Sequence, residues 1–278
     1  MSKSGTLYIE GNSLFHRMDG AAKLFMFAVW TVFVFLFQDI RIFVPLFLFG
    51  IGLLIAAKLP YKRIRFFLWL MIVFNLMNCV LTLLITPAYG SKVWGTTTVI
   101  LNLGYNVLTL ESVFYVLTLT LKYMSMMPIT LLFIFTTHPT RFASSLNRIG
   151  VPYKIAFAFS IAFRYVPDLQ TEFRNISNAM QARGMGFGKG EGSYKERFKH
   201  FVSIAIPLVQ SSLHRIETVS NAMDLRGFGR HRRRTWFSAT AWQRADYWIA
   251  VICVIVMVAA ITVRISGFGT FWYPFTSV

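Results

Sequence analysis

Two arginines stand out by context and spacing. Ser177-Asn178-Ala179-Met180-Gln181-Ala182-Arg183-Gly184 recurs as Ser220-Asn221-Ala222-Met223-Asp224-Leu225-Arg226-Gly227, with six of eight positions identical and the arginines 43 residues apart. Glycine just past a helix end permits a left-handed C-cap, and arginine in the last turn complements the negative end of the helix dipole. Capping alone does not require Ser-Asn-Ala-Met to recur upstream, or arginine to fall twice on an apolar seam. A guanidinium forms rigid bidentate bonds to carboxylates, so two similar helix tips suit two similar receptors. A nucleotide-hydrolysing dimer with pseudo-twofold symmetry is the natural pair.

Other residues carry weaker signals. His16, His138, His200, His214 and His231 show no zinc-ligand spacing, and no Gly-x-Ser-x-Gly elbow occurs, so neither catalytic residues, a metal site nor a cofactor is expected. Gly184 to Gly190 fails as a phosphate loop. Its first glycine is one residue too near, Gly190 stands where Ser or Thr would hold magnesium, and a helix precedes it. Cys79 and Cys253 sit in separate apolar runs, which argues against a disulfide. Lys122 lies inside an apolar run, where a charge either is functional or snorkels to a headgroup layer. Met124, Met126 and Met127 follow it and offer either an adaptable surface to a membrane partner or plain packing against lipid and helix.

The elements that must position these residues follow from composition. Of 278 residues, 55% are hydrophobic and only 14% charged, well below the quarter usual in soluble domains. The net charge of +17 is localised: 17 of the 28 Lys and Arg residues fall between Thr136 and Asp246, and four more cluster as Lys58, Lys62, Arg63 and Arg65. Basic residues concentrate in cytoplasmic loops, so the charge reads as topology rather than as nucleic-acid binding. Five apolar runs, at 22–37, 42–57, 64–85, 108–135 and 247–265, approach the roughly 20 residues that a bilayer core requires. The first two are short and are expected to form a tight hairpin with one end shallow in the membrane. Placing the basic segments inside gives a cytoplasmic N-terminus and an external segment over Thr86 to Val107.

The polar region after Thr136 reads as helical. Pro139 suits a helix start, Gly150 ends a short helix over Thr140 to Ile149, and Pro152 follows. Ile155, Phe159, Ala162, Val166, Leu169, Phe173, Ile176 and Met180 then recur with spacings of four and three, and Arg183 is next in the series. Val202, Ala205, Val209, Ser212, Ile216, Val219 and Met223 repeat the pattern, with Arg226 next. These are seams of the coiled-coil type, interrupted by Pro167 and Pro207, where kinks are expected. The run Arg230 to Arg234 reads as a basic anchor before the last span.

The sequence resembles the transmembrane (T) components of energy-coupling-factor (ECF) transporters. That family carries Ala-Arg-Gly motifs at the ends of two coupling helices, matched here by Ala182-Arg183-Gly184 and the variant Leu225-Arg226-Gly227. Thr136-Thr137-His138-Pro139, Leu146 to Pro152, and Phe163-Arg164-Tyr165-Val166-Pro167 also look like the family, as does Met18 to Leu24, though without the family's Pro and Arg. Lys122 stands where many members have Arg. The resemblance implies an all-α, multi-spanning plasma-membrane protein of about five transmembrane helices. It would comprise a membrane domain over 1–135, cytoplasmic coupling helices over 136–246, and a final span and external tail over 247–278. It further implies a scaffold, not an enzyme, that binds two ABC-type ATPases through Ala182, Arg183, Gly184, Leu225, Arg226 and Gly227. A small membrane-embedded S component, for which Lys122, Met124, Met126 and Met127 are candidate contacts, would bind vitamins, metal ions or related micronutrients. An ordinary ABC permease with its own substrate path is the alternative.

Overall fold

The computed structural model describes residues 8–87, 89–95, 98–102, 107–184, 194–231, 235–236, 242–267, 269 and 272. The chain divides into two compact units. The first contains α1 (Leu14–Arg17), α2 (Gly20–Leu36), α3 (Ile40–Ala56), α4 (Tyr61–Ile85), α5 (Tyr89–Trp94), a β-hairpin of β1 (Val99–Asn102) and β2 (Val107–Thr109), α6 (Leu110–Thr136) and α10 (Arg244–Ile265). The second contains α7 (Pro139–Arg148), α8 (Tyr153–Ala182) and α9 (Tyr194–Leu225).

Among the described residues, α4, α6 and α10 are long and apolar enough to cross a membrane, and α2 and α3 are shorter apolar helices of 17 residues each. All five predicted spans are therefore helical. The expected α2–α3 hairpin is splayed rather than tight: α2 packs on α6 and α10 and α3 on α6, and the two meet through side chains such as the stacked rings of Trp30 and Phe49. Gly50 is the reason α3 can approach so closely, because a Cβ there would lie 3.1 Å from the Pro128 ring of α6. In lipid, apolar area alone does not drive helices together, so close packing and polar bonds across helices hold such a bundle. Here Trp30 Nε1 donates to the Ser125 carbonyl at 3.1 Å, and Asn75 Nδ2 donates to the Thr120 carbonyl at 3.1 Å. Ile129, Leu131, Leu132 and Phe135 make α6 the buried centre.

The segment between α4 and α6, expected from the sequence as an external segment, folds against the start of α6. Gly90 sits on the α6 backbone so closely that a Cβ would lie 2.4 Å from Glu111 C and O. Its N–H bonds Ser112 Oγ, Ser91 Oγ bonds Thr109 Oγ1, and the fully buried Glu111 accepts from the Thr98 N–H at 3.0 Å. Near the same end of the helix, the C-terminal tail returns. The Gly269 carbonyl accepts from Gln38 N–H, and Trp272 lies 3.3 Å under the Arg41 guanidinium and edge-on to Phe114.

At the opposite end, a buried polar knot joins three helix termini. Asp19 caps α2 by accepting from the Ala21 N–H at 2.8 Å, and its own N–H donates to Asp246 Oδ1 at 3.2 Å. Asp246 also completes a capping box with Gln243 at the start of α10. Lys23, only 2% exposed, donates to the Thr136 carbonyl at the end of α6 at 2.7 Å. His16 is buried beside this knot, bonded through Nδ1 to Ser13 Oγ at 2.7 Å, and a Cβ on Gly11 would press into its ring. Desolvation, and secondarily the Lys23 charge, hold its pKa below the ordinary value of 6.5. The unfolded chain therefore binds a proton that the folded one resists, and stability falls as pH drops through and below about 6.5, by at most about 1.4 kcal/mol per pH unit. Thermal unfolding followed from about pH 7.5 to about pH 5.5 is expected to show this loss in the wild type and a shallower one in His16→Asn. An equally steep loss in His16→Asn would assign the proton elsewhere.

Candidate functional site

The short helix α7 ends at Gly150, whose φ of +107° a side chain would resist, and Pro152 precedes the first residue of α8. From there α8 runs 30 residues, continuing through Pro167, and α9 runs 32, continuing through Pro207. Both end in the same way. Arg183 N–H donates to the Ala179 and Met180 carbonyls, Gly184 takes φ +85°, and its N–H reaches the Gln181 carbonyl at 3.0 Å. Arg226 N–H donates to the Ala222 carbonyl, Gly227 takes φ +67°, and Gly227 and Phe228 close both bonds of a Schellman cap onto Asp224 and Met223. Each arginine is thus the capping residue of its helix, and Ala182, Arg183, Leu225 and Arg226 are all exposed. Residues 185–193, with the rest of the glycine-rich stretch, and 232–234 of the basic run lie outside the described residues.

How the two helices pair was not readable from the repeat. Glu172 Oε2 accepts from Arg215 at 2.9 Å, Ser211 Oγ also bonds Glu172, and the Arg215 guanidinium stands 5.7 Å from the centre of the Tyr165 ring. Further toward the start of α8, Phe228 packs on Tyr153 and Phe157, with ring centroids 5.4 and 4.8 Å apart. Partners descend along α8 as they ascend along α9, so the helices run antiparallel. Arg183 and Arg226 therefore lie at opposite ends of the pair, roughly 40 Å apart by the rise of a helix of this length. Trp236 extends the anchor at the Arg226 end, meeting Tyr153 and Phe157 and donating to Asn147 Oδ1 at 3.2 Å.

The contact face also departs from the expected seams. Leu169, Ile176 and Met180 are turned inward as predicted, but Ile155, Phe159 and Phe173 are exposed, and Tyr153, Ala156, Phe157 and Ile161 are turned inward instead. On α9, Val209 and Ile216 are exposed, while Ile204, Leu208, Ser211 and Arg215 face inward with Val219 and Met223. Both helices are apolar on more than one face, so spacing alone could not choose the register. The Glu172–Arg215 pair was missed for the same reason: a charge inside a helix of mixed polarity carries no periodic signal. A double-mutant cycle through Glu172→Ala and Arg215→Ala is expected to return a coupling of about 1 kcal/mol in thermal stability, modest because Arg215 remains partly open to solvent. A coupling near zero would show that the pair does not fasten the helices.

Among the membrane-side candidates the three methionines share one cavity, and Lys122 is not part of its lining. Met127 is a core residue packed with Ile64, Leu131 and Phe135. Met124 and Met126 line with it a cavity of about 600 Å³ between α4 and α6, together with Asn75, Asn78 and Tyr123. Lys122 is half-buried and holds its ammonium 5.3 Å from the centre of the Phe35 ring.

The sequence matches the family described as cobalt transport protein over residues 11–236, a stretch that includes both arginine motifs and the first four apolar helices. The chain belongs to this family. Its similarity extends to curated relatives named as energy-coupling factor transporter transmembrane proteins. One from Bacillus subtilis is 26% identical over 91% of this chain and 94% of the relative. Those from Lactococcus lactis and Bacillus selenitireducens are each 28% identical, over 90% and 94% of this chain and 93% and 96% of theirs. This member is accordingly an all-α membrane protein, the transmembrane component of an ECF transporter. The cobalt transport family is one of membrane transport subunits rather than enzymes.

Proposed function

We propose that this chain is the energy-coupling scaffold of an ECF importer. Two cytoplasmic ABC-type ATPases, like or unlike, grip the helix tips at Ala182-Arg183-Gly184 and Leu225-Arg226-Gly227. A small S component in the membrane, which carries the vitamin, metal ion or related micronutrient, is reoriented when ATP-driven motion passes through α8 and α9. Residues 136–246 are cytoplasmic in this reading, as is the N-terminus, and the bundle over 1–135 with the final span from 247 sits in the plasma membrane. ATP hydrolysis belongs to the partners. The observation that carries the proposal is the pair of equivalent arginine caps at opposite ends of one antiparallel helix pair, a spacing that serves two separate receptors.

In this reading the S component lies along the α4–α6 cavity, where Met124 and Met126 supply adaptable contacts and Asn78 and Tyr123 supply hydrogen-bonding groups. Affinity purification of the tagged full chain from its native membranes, followed by mass spectrometry, is expected to recover ABC-type ATPase and one small membrane protein. Recovery of ATPases with no third protein, together with substrate binding by this chain itself, would replace the proposal with an ordinary permease.

A further inference from the structure

A second cavity of about 420 Å³ opens between α2, α3 and α10. Its walls include Val29, Phe33, Phe49, Leu53, Ile252 and Val256 and present almost no polar surface. The volume lies in the range of about 300–1,000 Å³ typical of small-molecule sites. Helix-binding surfaces in membranes favour small residues for close approach or polar groups for hydrogen bonds, and these bulky apolar walls supply neither. An aliphatic chain suits them.

Phe15 and Ile249, which line one end of the cavity, are flanked in the chain by arginines, at two and five residues' distance. Arg17 and Arg244 are both exposed, and each lies two residues from the bond that ties Asp19 to Asp246. The two carboxylates there are buried and already accept backbone N–H bonds, so the arginines are the exposed charges of these two helix starts. Trp242, two residues before Arg244, buries its indole N–H without an acceptor among the described residues. Tyr247 and Trp248 are exposed in the first turns of α10, as aromatic side chains are at the level of lipid headgroups. An acceptor-rich anion at that level, joined to an aliphatic chain, answers all of these features together.

We propose that this groove binds one anionic phospholipid of the surrounding bilayer, with an acyl chain between α2, α3 and α10 and its phosphate held by Arg17 and Arg244. The probe is phosphatidylglycerol, with phosphatidylcholine as the uncharged comparison, added to the full chain in detergent and counted by native mass spectrometry. One phosphatidylglycerol per chain is expected to persist where phosphatidylcholine is lost, and its retention is expected to fall as salt is raised. The Arg17→Ala, Arg244→Ala double variant is expected to weaken retention about 30-fold, as two near-surface cations would. Val256→Trp, which fills the groove from an exposed position, is expected to expel the lipid with both arginines in place. Thermal midpoints in lipid-free detergent identify any variant that has lost its fold, and the salt dependence tests the wild type without any substitution. Equal retention of the two lipids, insensitivity to salt, or wild-type retention by folded Val256→Trp would each overturn the proposal.

Discussion

Reversing either arginine, as Arg183→Glu or Arg226→Glu, is expected to abolish ATP-driven uptake and to detach ATPase from the purified chain. The reversal removes a guanidinium and sets a carboxylate against the acidic receptor proposed for it. Losing one partner of a buried, hydrogen-bonded charge pair at an interface costs about 2–5 kcal/mol, enough to dissociate a moderately tight contact. The fold should survive, because both residues are exposed at helix ends, where an unfavourable charge costs about 0.3–1 kcal/mol. Co-purification and uptake in membrane vesicles separate these effects, with thermal stability as the control. If both reversals leave ATPase recovery and uptake at wild-type levels, the tips are caps and nothing more.

The second large effect is expected at Lys23. Its ammonium lies inside the bundle, bonded to the carbonyl that ends α6, on the helix whose first turn is capped by Asp19 and tied to Asp246. Replacing it with Met keeps the aliphatic stem but strands the Thr136 carbonyl and removes the only positive charge among the knot's buried carboxylates that the described residues place there. Breaking a buried charged cluster by deleting one member costs about 3–5 kcal/mol. Lys23→Met should therefore lower the thermal midpoint sharply and reduce the recovery of monodisperse protein, whereas Lys62→Met, on an exposed position at the start of α4, should do neither. A Lys23→Met protein as stable as the wild type would mean that the knot is not what joins the three helix ends.

Much of the fold was legible in the sequence because its signals are local. The apolar run at 108–135 became α6 (Leu110–Thr136), and Gly150, Pro152, Gly184 and Gly227 marked the helix ends where they were expected. What could not be read depends on distant partners. Lys23 finds its acceptor 113 residues away, and its burial contradicts the ordinary placement of lysine at a membrane surface. The seams of α8 and α9 were located but set in partly wrong register, since Phe157 and Phe159 offer adjacent apolar faces and only the neighbours Phe228 and Trp236 decide between them. The repeated motif announced two equivalent tips, yet it could not say that they point away from each other.

That opposition has a mechanical consequence. On the proposed reading of the tips as grips, two rods fastened near mid-length by Glu172, Ser211 and Arg215, and again at the Arg226 end by Phe228 and Trp236, form one braced lever. Drawing such grips together would load the pair through both fastenings, leaving the length of α8 between Glu172 and Arg183 as the arm that swings. In that reading the stiffness of the helices would set how much of each nucleotide-driven stroke is passed on, and how much is lost to bending at Pro167 and Pro207.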